Sequence, residues 1–198
     1  MNDVISNISS AFLAQSPLEV VAVVSALLYL VLVVRENIWC WFFAFVSTAI
    51  YIYLFYSVAL LSESVLNAYY LVMAVYGWWQ WHKGKSHDAT RIKRWGFSIH
   101  IKILVVCTLL VPIVGYGMSQ LGAAFPYLDA FVALLAVVAT LMVAYKVFEN
   151  WYYWLLIDTL SIYLFWQKQM YLTALLFVIY IALIFVGIKH WKMLLHKK

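Results

Sequence analysis

The sequence predicts an all-α membrane protein: seven transmembrane helices in a 3+1+3 arrangement, two parallel three-helix repeats with a pseudo-two-fold relation, joined by one helix. Three observations predict it. The 198-residue chain is 67% hydrophobic and only 11% charged, against about 25% charged in an average soluble domain. Seven apolar stretches approach the ~20 residues that cross a bilayer. Motifs of the second and third stretches return in the sixth and seventh.

In chain order the spans are about 17–34, 38–57, 62–81, 100–118, 128–147, 151–167 and 170–188. Residues 1–16 read as a polar lead, without the basic start and small-residue cleavage site of a secretory signal. The sixth span is short, so it is expected to tilt or to pack inside the bundle. Of the 13 Lys and Arg, Arg35, Lys83, Lys85, Arg91, Lys93, Arg94, Lys102, Lys146, Lys189, Lys192, Lys197 and Lys198 fall on one side. Lys168 alone falls on the other. Basic loops stay in the cytoplasm, so the N-terminus is expected outside and the C-terminus inside. The chain then divides into an outer lead (1–16), a first repeat (17–81), a basic cytoplasmic loop with connecting helix and outer loop (82–127), a second repeat (128–188) and a basic tail (189–198). That tail reads as an orientation signal with lipid contact, not as a nucleic-acid site.

The repeat lies in "ENIWCWFFAFVSTAIYIYLFY" (36–56) and "ENWYYWLLIDTLSIYLFW" (149–166). Glu36-Asn37 and Trp41 return as Glu149-Asn150 and Trp154, and Gly77 and Trp81 return as Gly187 and Trp191. The spacing is 113 residues in the first match and 110 in the second, reconciled by a three-residue gap. Three spans and a connector make an even number, so the second triplet starts on the same side as the first. Transporters with such parallel repeats hold their substrate between the halves near the midplane.

Asp158 is the residue that composition does not excuse. It stands ~10 Å along its helix from the inner end, where a charge costs at least ~2.5–3.5 kcal/mol. Trp154, Ser161 and Phe165 share its face, and a carboxylate among rings attracts cations through both charge and ring faces. The alternative is a structural Asp, protonated or bonded to a hydroxyl or backbone group. On the third span Glu63, Asn67, Tyr70, Ala74, Gly77 and Trp81 form one stripe. Glu63 is either interfacial or part of a site, and Asn67 lies deeper as a polar partner. On the second span Asn37, Trp41, Thr48, Tyr51 and Phe55 share a face. Asn37 and Asn150, matched across the repeat, are helix caps or an inner gate. Glu19, Glu63 and Asp129 gather near the outer surface, opposed by Lys168 alone, and an acidic mouth concentrates cations.

Other chemistry is not indicated. Cys40 and Cys107 lie in separate spans without metal or redox spacing, and no HxxxH pair occurs, so neither metal nor cofactor is expected. Gly84-Lys85-Ser86 lacks the leading glycine of a phosphate loop, with Trp79 in its place. The seventh span has no lysine for a retinal Schiff base. No hydrolase motif is present, so the reading is not an enzyme. A membrane-embedded enzyme or a receptor would be the competing class. The enzyme would form product without a sealed membrane, and the receptor would carry an output domain.

"YIYLFY" with "YGWWQW" (51–81) and "ENWYYW" through "VGIKHW" (149–191) resemble the Pnu family of bacterial vitamin transporters, over about residues 17–191. The resemblance implies a 3+1+3 fold similar to SWEET sugar transporters, in the bacterial inner membrane. It also implies facilitated diffusion of an unphosphorylated vitamin, made one-way by a cytoplasmic kinase, and a homotrimer. Members that carry nicotinamide riboside are expected to line the pocket with amides. The aligned positions here are Asn67 for a Gln, Ala74 for an Asn and Asp158 for an Asn. Two amides are thus shortened or lost and a carboxylate is gained. Thiamine fits that set better: its thiazolium needs an anion or ring faces, and its aminopyrimidine needs an acid or amide. The expected site is Asp158, Glu63, Asn67, Trp154, Tyr70, Trp41, Tyr51 and Ser161, with Asn37 and Asn150 as gate. Nicotinamide riboside, also a cation, is the alternative.

Overall fold

A computed structural model describes residues 17–57, 61–83, 91–168 and 171–196. The polar lead 1–16, part of the basic loop (84–90, with its Gly-Lys-Ser) and the terminal Lys197-Lys198 lie outside the described residues. The described residues form seven helices in order: α1 Pro17–Val34, α2 Cys40–Ser57, α3 Leu61–Lys83, α4 Phe97–Gln120, α5 Pro126–Ala144, α6 Asn150–Gln167 and α7 Tyr171–His196. The last outruns its expected span by eight residues, because its basic end "KHWKMLLH" stays helical where hydropathy has already fallen. α5 starts on a proline, whose missing N–H is no loss at a first helical turn.

Among the described residues, five helices are long and apolar enough to cross a membrane: α1, α2, α4, α5 and the Thr173–His196 stretch of α7. α3 and α6 are the other two. They carry Glu63 and Asn67, and Asn150 and Asp158, so the least apolar helices are those with the deepest polar side chains.

Six helices close a ring in the order α1, α2, α3, α5, α6, α7 and back to α1, while α4 packs outside against α5. Gly115 of α4 is buried against the Tyr127 ring, where a side chain on the glycine would collide. His100 Nδ1 meets the Tyr153 hydroxyl at 3.0 Å and ties α4 to α6. Within the ring the Tyr69 hydroxyl donates to the Val137 carbonyl at 2.8 Å, joining α3 to α5. Ser47 donates to Ala22 O at 3.0 Å, joining α2 to α1.

Equivalent features recur at a constant separation of 110 residues, which corrects the 113-residue spacing read from the Glu-Asn dipeptides. The Trp41 ring presses on Gly77 and the Trp151 ring on Gly187. Trp41 meets Trp81 edge-on with centroids 5.6 Å apart, and Trp151 meets Trp191 edge-on at 5.3 Å. The mate of Trp41 is therefore Trp151, not Trp154. The first helix of each triplet also ends alike. Asn37 N–H donates to Leu32 O and Glu36 N–H to Val33 O; Val147 N–H donates to Met142 O and Lys146 N–H to Val143 O. This paired capping pattern needs a left-handed residue, ordinarily glycine. Here it is Glu36 (φ 51°) and Lys146 (φ 52°).

The segment after the basic loop straps the second of these corners. Lys93 N–H donates to Lys146 O at 3.0 Å, and Phe148 N–H to Lys93 O at 2.8 Å. Glu149 accepts from Arg94 Nε at 2.8 Å and from Trp95 N–H at 3.1 Å.

Candidate functional site

The helix ring encloses a cavity of about 890 Å³. Its lining includes every expected binding residue: Trp41 and Tyr51 from α2, Glu63, Asn67 and Tyr70 from α3, Trp154, Asp158 and Ser161 from α6. One end is marked by Glu19, Glu63, Asp129 and Lys168, which lie at helix ends; the other is floored by Val33, Trp41, Val143, Asn150 and Trp151.

Asp158 lies between these ends and is 3% exposed. Among the described residues its carboxylate makes no hydrogen bond or ion pair. Tyr70 and Tyr180 stand within electrostatic reach of it. Several neighbouring polar groups spend their donors within the protein and leave acceptors for a ligand, while Trp41 Nε1 and Trp151 Nε1 at the floor are buried donors without a partner among the described residues. Asn67 Nδ2 donates to its own helix at Glu63 O (2.9 Å), and Thr48 Oγ1 to Ala44 O (2.8 Å). Asn150 Nδ2 donates to Val147 O at 2.6 Å, while its buried Oδ1 has no partner among the described residues. Flat surfaces surround these groups: Tyr51 stacks on Phe55 at 5.3 Å and Phe165 on Phe177 at 5.4 Å, each pair within 15° of parallel. A carboxylate with acceptors and ring faces suits a flat cation that carries N–H donors.

At the mouth, the one opposing lysine is bonded directly to the acids. Lys168 Nζ lies 3.1 and 3.3 Å from the two Asp129 oxygens and 3.9 Å from Glu63 Oε1. Three acids and one lysine still leave a net negative entrance. Lys168→Gln is expected to raise the association rate of a cationic solute roughly two- to threefold at low ionic strength. Stopped-flow quenching checks it, and the gain should vanish in 0.5 M salt, on the order of a 4 Å screening length.

Two expectations are corrected. Asn37 and Asn150 are not a matched pair. Asn37 accepts from Trp39 N–H at 3.0 Å as a local cap and borders a separate pocket of about 380 Å³ with Trp39, Trp78 and His82. At a spacing of 110, Asn150 corresponds to Cys40. Ala74 does not line the cavity either. It is 2% exposed and packed among core side chains, so it offers a ligand nothing, and the substrate argument rests on Asn67 and Asp158 alone.

The sequence reading missed Trp151, Tyr180, Tyr29 and Thr140, which also line the cavity. The signal was available for two of them: at the uniform spacing, Trp151 and Tyr180 are the counterparts of Trp41 and Tyr70.

The profile of the nicotinamide mononucleotide transporter family matches residues 16–193. The nicotinamide riboside transporter PnuC of Escherichia coli is 23% identical over 201 residues, covering 88% of this chain and 84% of its own. The riboflavin/roseoflavin transporter RibM of Streptomyces davaonensis is 27% identical over 179 residues, covering 87% and 83%. PnuC of Neisseria mucosa is 26% identical over 190 residues, covering 89% and 72%. A crystal structure of the vitamin B3 transporter PnuC superposes with a TM-score of 0.75 over 96% of this chain and 89% of that one, at 22% identity, and so has the same fold. With nearly its whole length matched, the chain belongs to the nicotinamide mononucleotide transporter family, that of the PnuC proteins.

Proposed function

We propose that the protein takes up unphosphorylated thiamine across the bacterial inner membrane by facilitated diffusion, with a cytoplasmic thiamine kinase trapping the product. Asp158 carries the reading: a buried carboxylate without a partner among the described residues, in a cavity lined by ring faces and polar groups. Burying such a charge is costly unless a partner arrives, and a thiazolium supplies the charge while an aminopyrimidine supplies N–H donors. The two triplets, α1–α3 and α5–α7, act as the parallel halves of a 3+1+3, SWEET-like fold with α4 as connector. The uniform 110-residue spacing of the Trp–Gly pairs supports that arrangement. The N-terminus lies outside and the C-terminus inside, the acidic mouth then facing out. A homotrimer would cover some of the exposed apolar side chains on α4, such as Leu109 and Ile113.

Nicotinamide riboside is the second reading, supported by the Escherichia coli and Neisseria mucosa relatives, which are nicotinamide riboside transporters. It too is a flat cation. Tryptophan-fluorescence titration of the purified protein separates the two. Saturable quenching by thiamine, and weaker response to nicotinamide riboside and thiamine phosphate, is the expected result. Tight quenching by the riboside alone would replace thiamine and keep the transport class.

A further inference from the structure

The geometry points to a lock between the two triplets, built from Glu36, Lys146 and the crossed indoles of Trp81 and Trp191, that holds the floor of the cavity shut. It rests on the transport reading for its purpose but not for its structure. Trp81 at the end of α3 donates through Nε1 to Ala144 O at the end of α5, at 3.1 Å. Trp191 of α7 donates to Val34 O and Val33 O at the end of α1, at 3.2 and 3.3 Å. Each triplet thus grips the first helix of the other, through groups 110 residues apart. Between them Lys146 Nζ meets Glu36 Oε2 at 2.9 Å and sits 4.5 Å over the Trp81 ring. Glu36 and Lys146 are themselves separated by 110 residues, so one ion pair joins the two equivalent corners.

Stability alone does not explain this pair. Both residues hold a left-handed turn in which glycine is preferred and a side chain is strained. A largely desolvated ion pair adds little net stability over apolar packing. Two strained positions are therefore kept for a contact that is weak in net terms but sensitive to separation, which suits a contact that must break and reform. Directly above it, Val33, Val143, Trp41 and Trp151 close the cavity. A solute leaving at this end has to part them, and with them the corners. The 380 Å³ pocket beside Glu36, Trp81 and Lys146 gives the released side chains room.

Cys40 reports on the lock. It is fully buried beside Trp41 at the floor, and Cys107→Ala leaves it the sole thiol, since the chain has two cysteines. Glu36→Gly and Lys146→Gly suit the turn and delete the pair without threatening the fold. Each is expected to raise the labelling rate of Cys40 by a soluble maleimide at least threefold, in detergent and in proteoliposomes. Glu36→Lys should do the same, and Glu36→Lys with Lys146→Glu should return labelling to the wild-type rate. Unchanged labelling in both glycine variants overturns the lock. So does a double reversal that labels as fast as Glu36→Lys, since the effect would then be packing and not charge. These rates need no substrate, so a protein that transports no vitamin would sink the transport reading and leave the lock to be judged on labelling.

Discussion

At the proposed thiamine site, Asp158→Asn is expected to weaken thiamine binding by roughly 10- to 150-fold, the ~1.5–3 kcal/mol that a hydrogen bond to an ionised group contributes. The effect is at the high end of single substitutions because little water reaches a side chain that is 3% exposed, so nothing replaces the lost charge. Asparagine keeps the shape of the side chain, and packing around Trp154 and Ser161 should stay as it is. Thermal melting of the ligand-free variant provides the control. Removing a buried carboxylate that has no partner among the described residues should leave the melting temperature unchanged or raise it. Fluorescence titration then reads affinity on a folded protein. Riboflavin, flat but uncharged, should respond little to the substitution if it binds at all. Wild-type affinity for thiamine in a stable Asp158→Asn protein would remove the carboxylate from the site.

Gly77→Ala and Gly187→Ala each destabilise the fold by about 1–3 kcal/mol, the usual result of forcing a methyl group into filled space. A methyl on Gly77 would overlap the Trp41 ring, and one on Gly187 the Trp151 ring. Neither ring can retreat, because Trp41 and Trp151 are 2% and 0% exposed and each is braced edge-on by a second tryptophan. In lipid, helices associate through such close approaches, since apolar surface alone gives no preference for a neighbouring helix over an acyl chain. Melting in detergent checks the loss. Trp41→Phe added to Gly77→Ala should recover part of it by freeing the space of one ring, and the same holds for Trp151→Phe with Gly187→Ala. Glycine variants that melt with the wild type would mean the helices can separate at these points without cost.

Much of the helix pattern was legible because it follows from summed side-chain chemistry. Seven apolar stretches predict seven helices, and most boundaries agree within a few residues. Asp158 was legible for the opposite reason: one carboxylate in an apolar helix stands out whatever its neighbours do. The register of the repeat was not. "EN" recurs at a spacing of 113, but helix corners are set by capping geometry, and that geometry puts Glu36 opposite Lys146, two residues of unlike type. A comparison of letters favours identical dipeptides over dissimilar residues in the same turn.

The same limit applies to the site. In a soluble helix the polar face shows which side meets water. Here lipid and protein interior are both apolar, so the sequence of α3 does not say that Ala74 faces packed neighbours while Asn67, two turns away, faces the cavity. Nor does it say that Asn37 turns into a local cap while Asn150 lies in the floor.

By itself the sequence determined the membrane class, the helices and the presence of a costly buried acid, since each depends on composition within one segment. Only the tertiary structure decided which rings face Asp158, that Lys168 bonds to Asp129 among the mouth acids, and that Glu36 pairs with Lys146. Those depend on how helices far apart in the chain rotate against one another, and packing sets that rotation, not hydropathy.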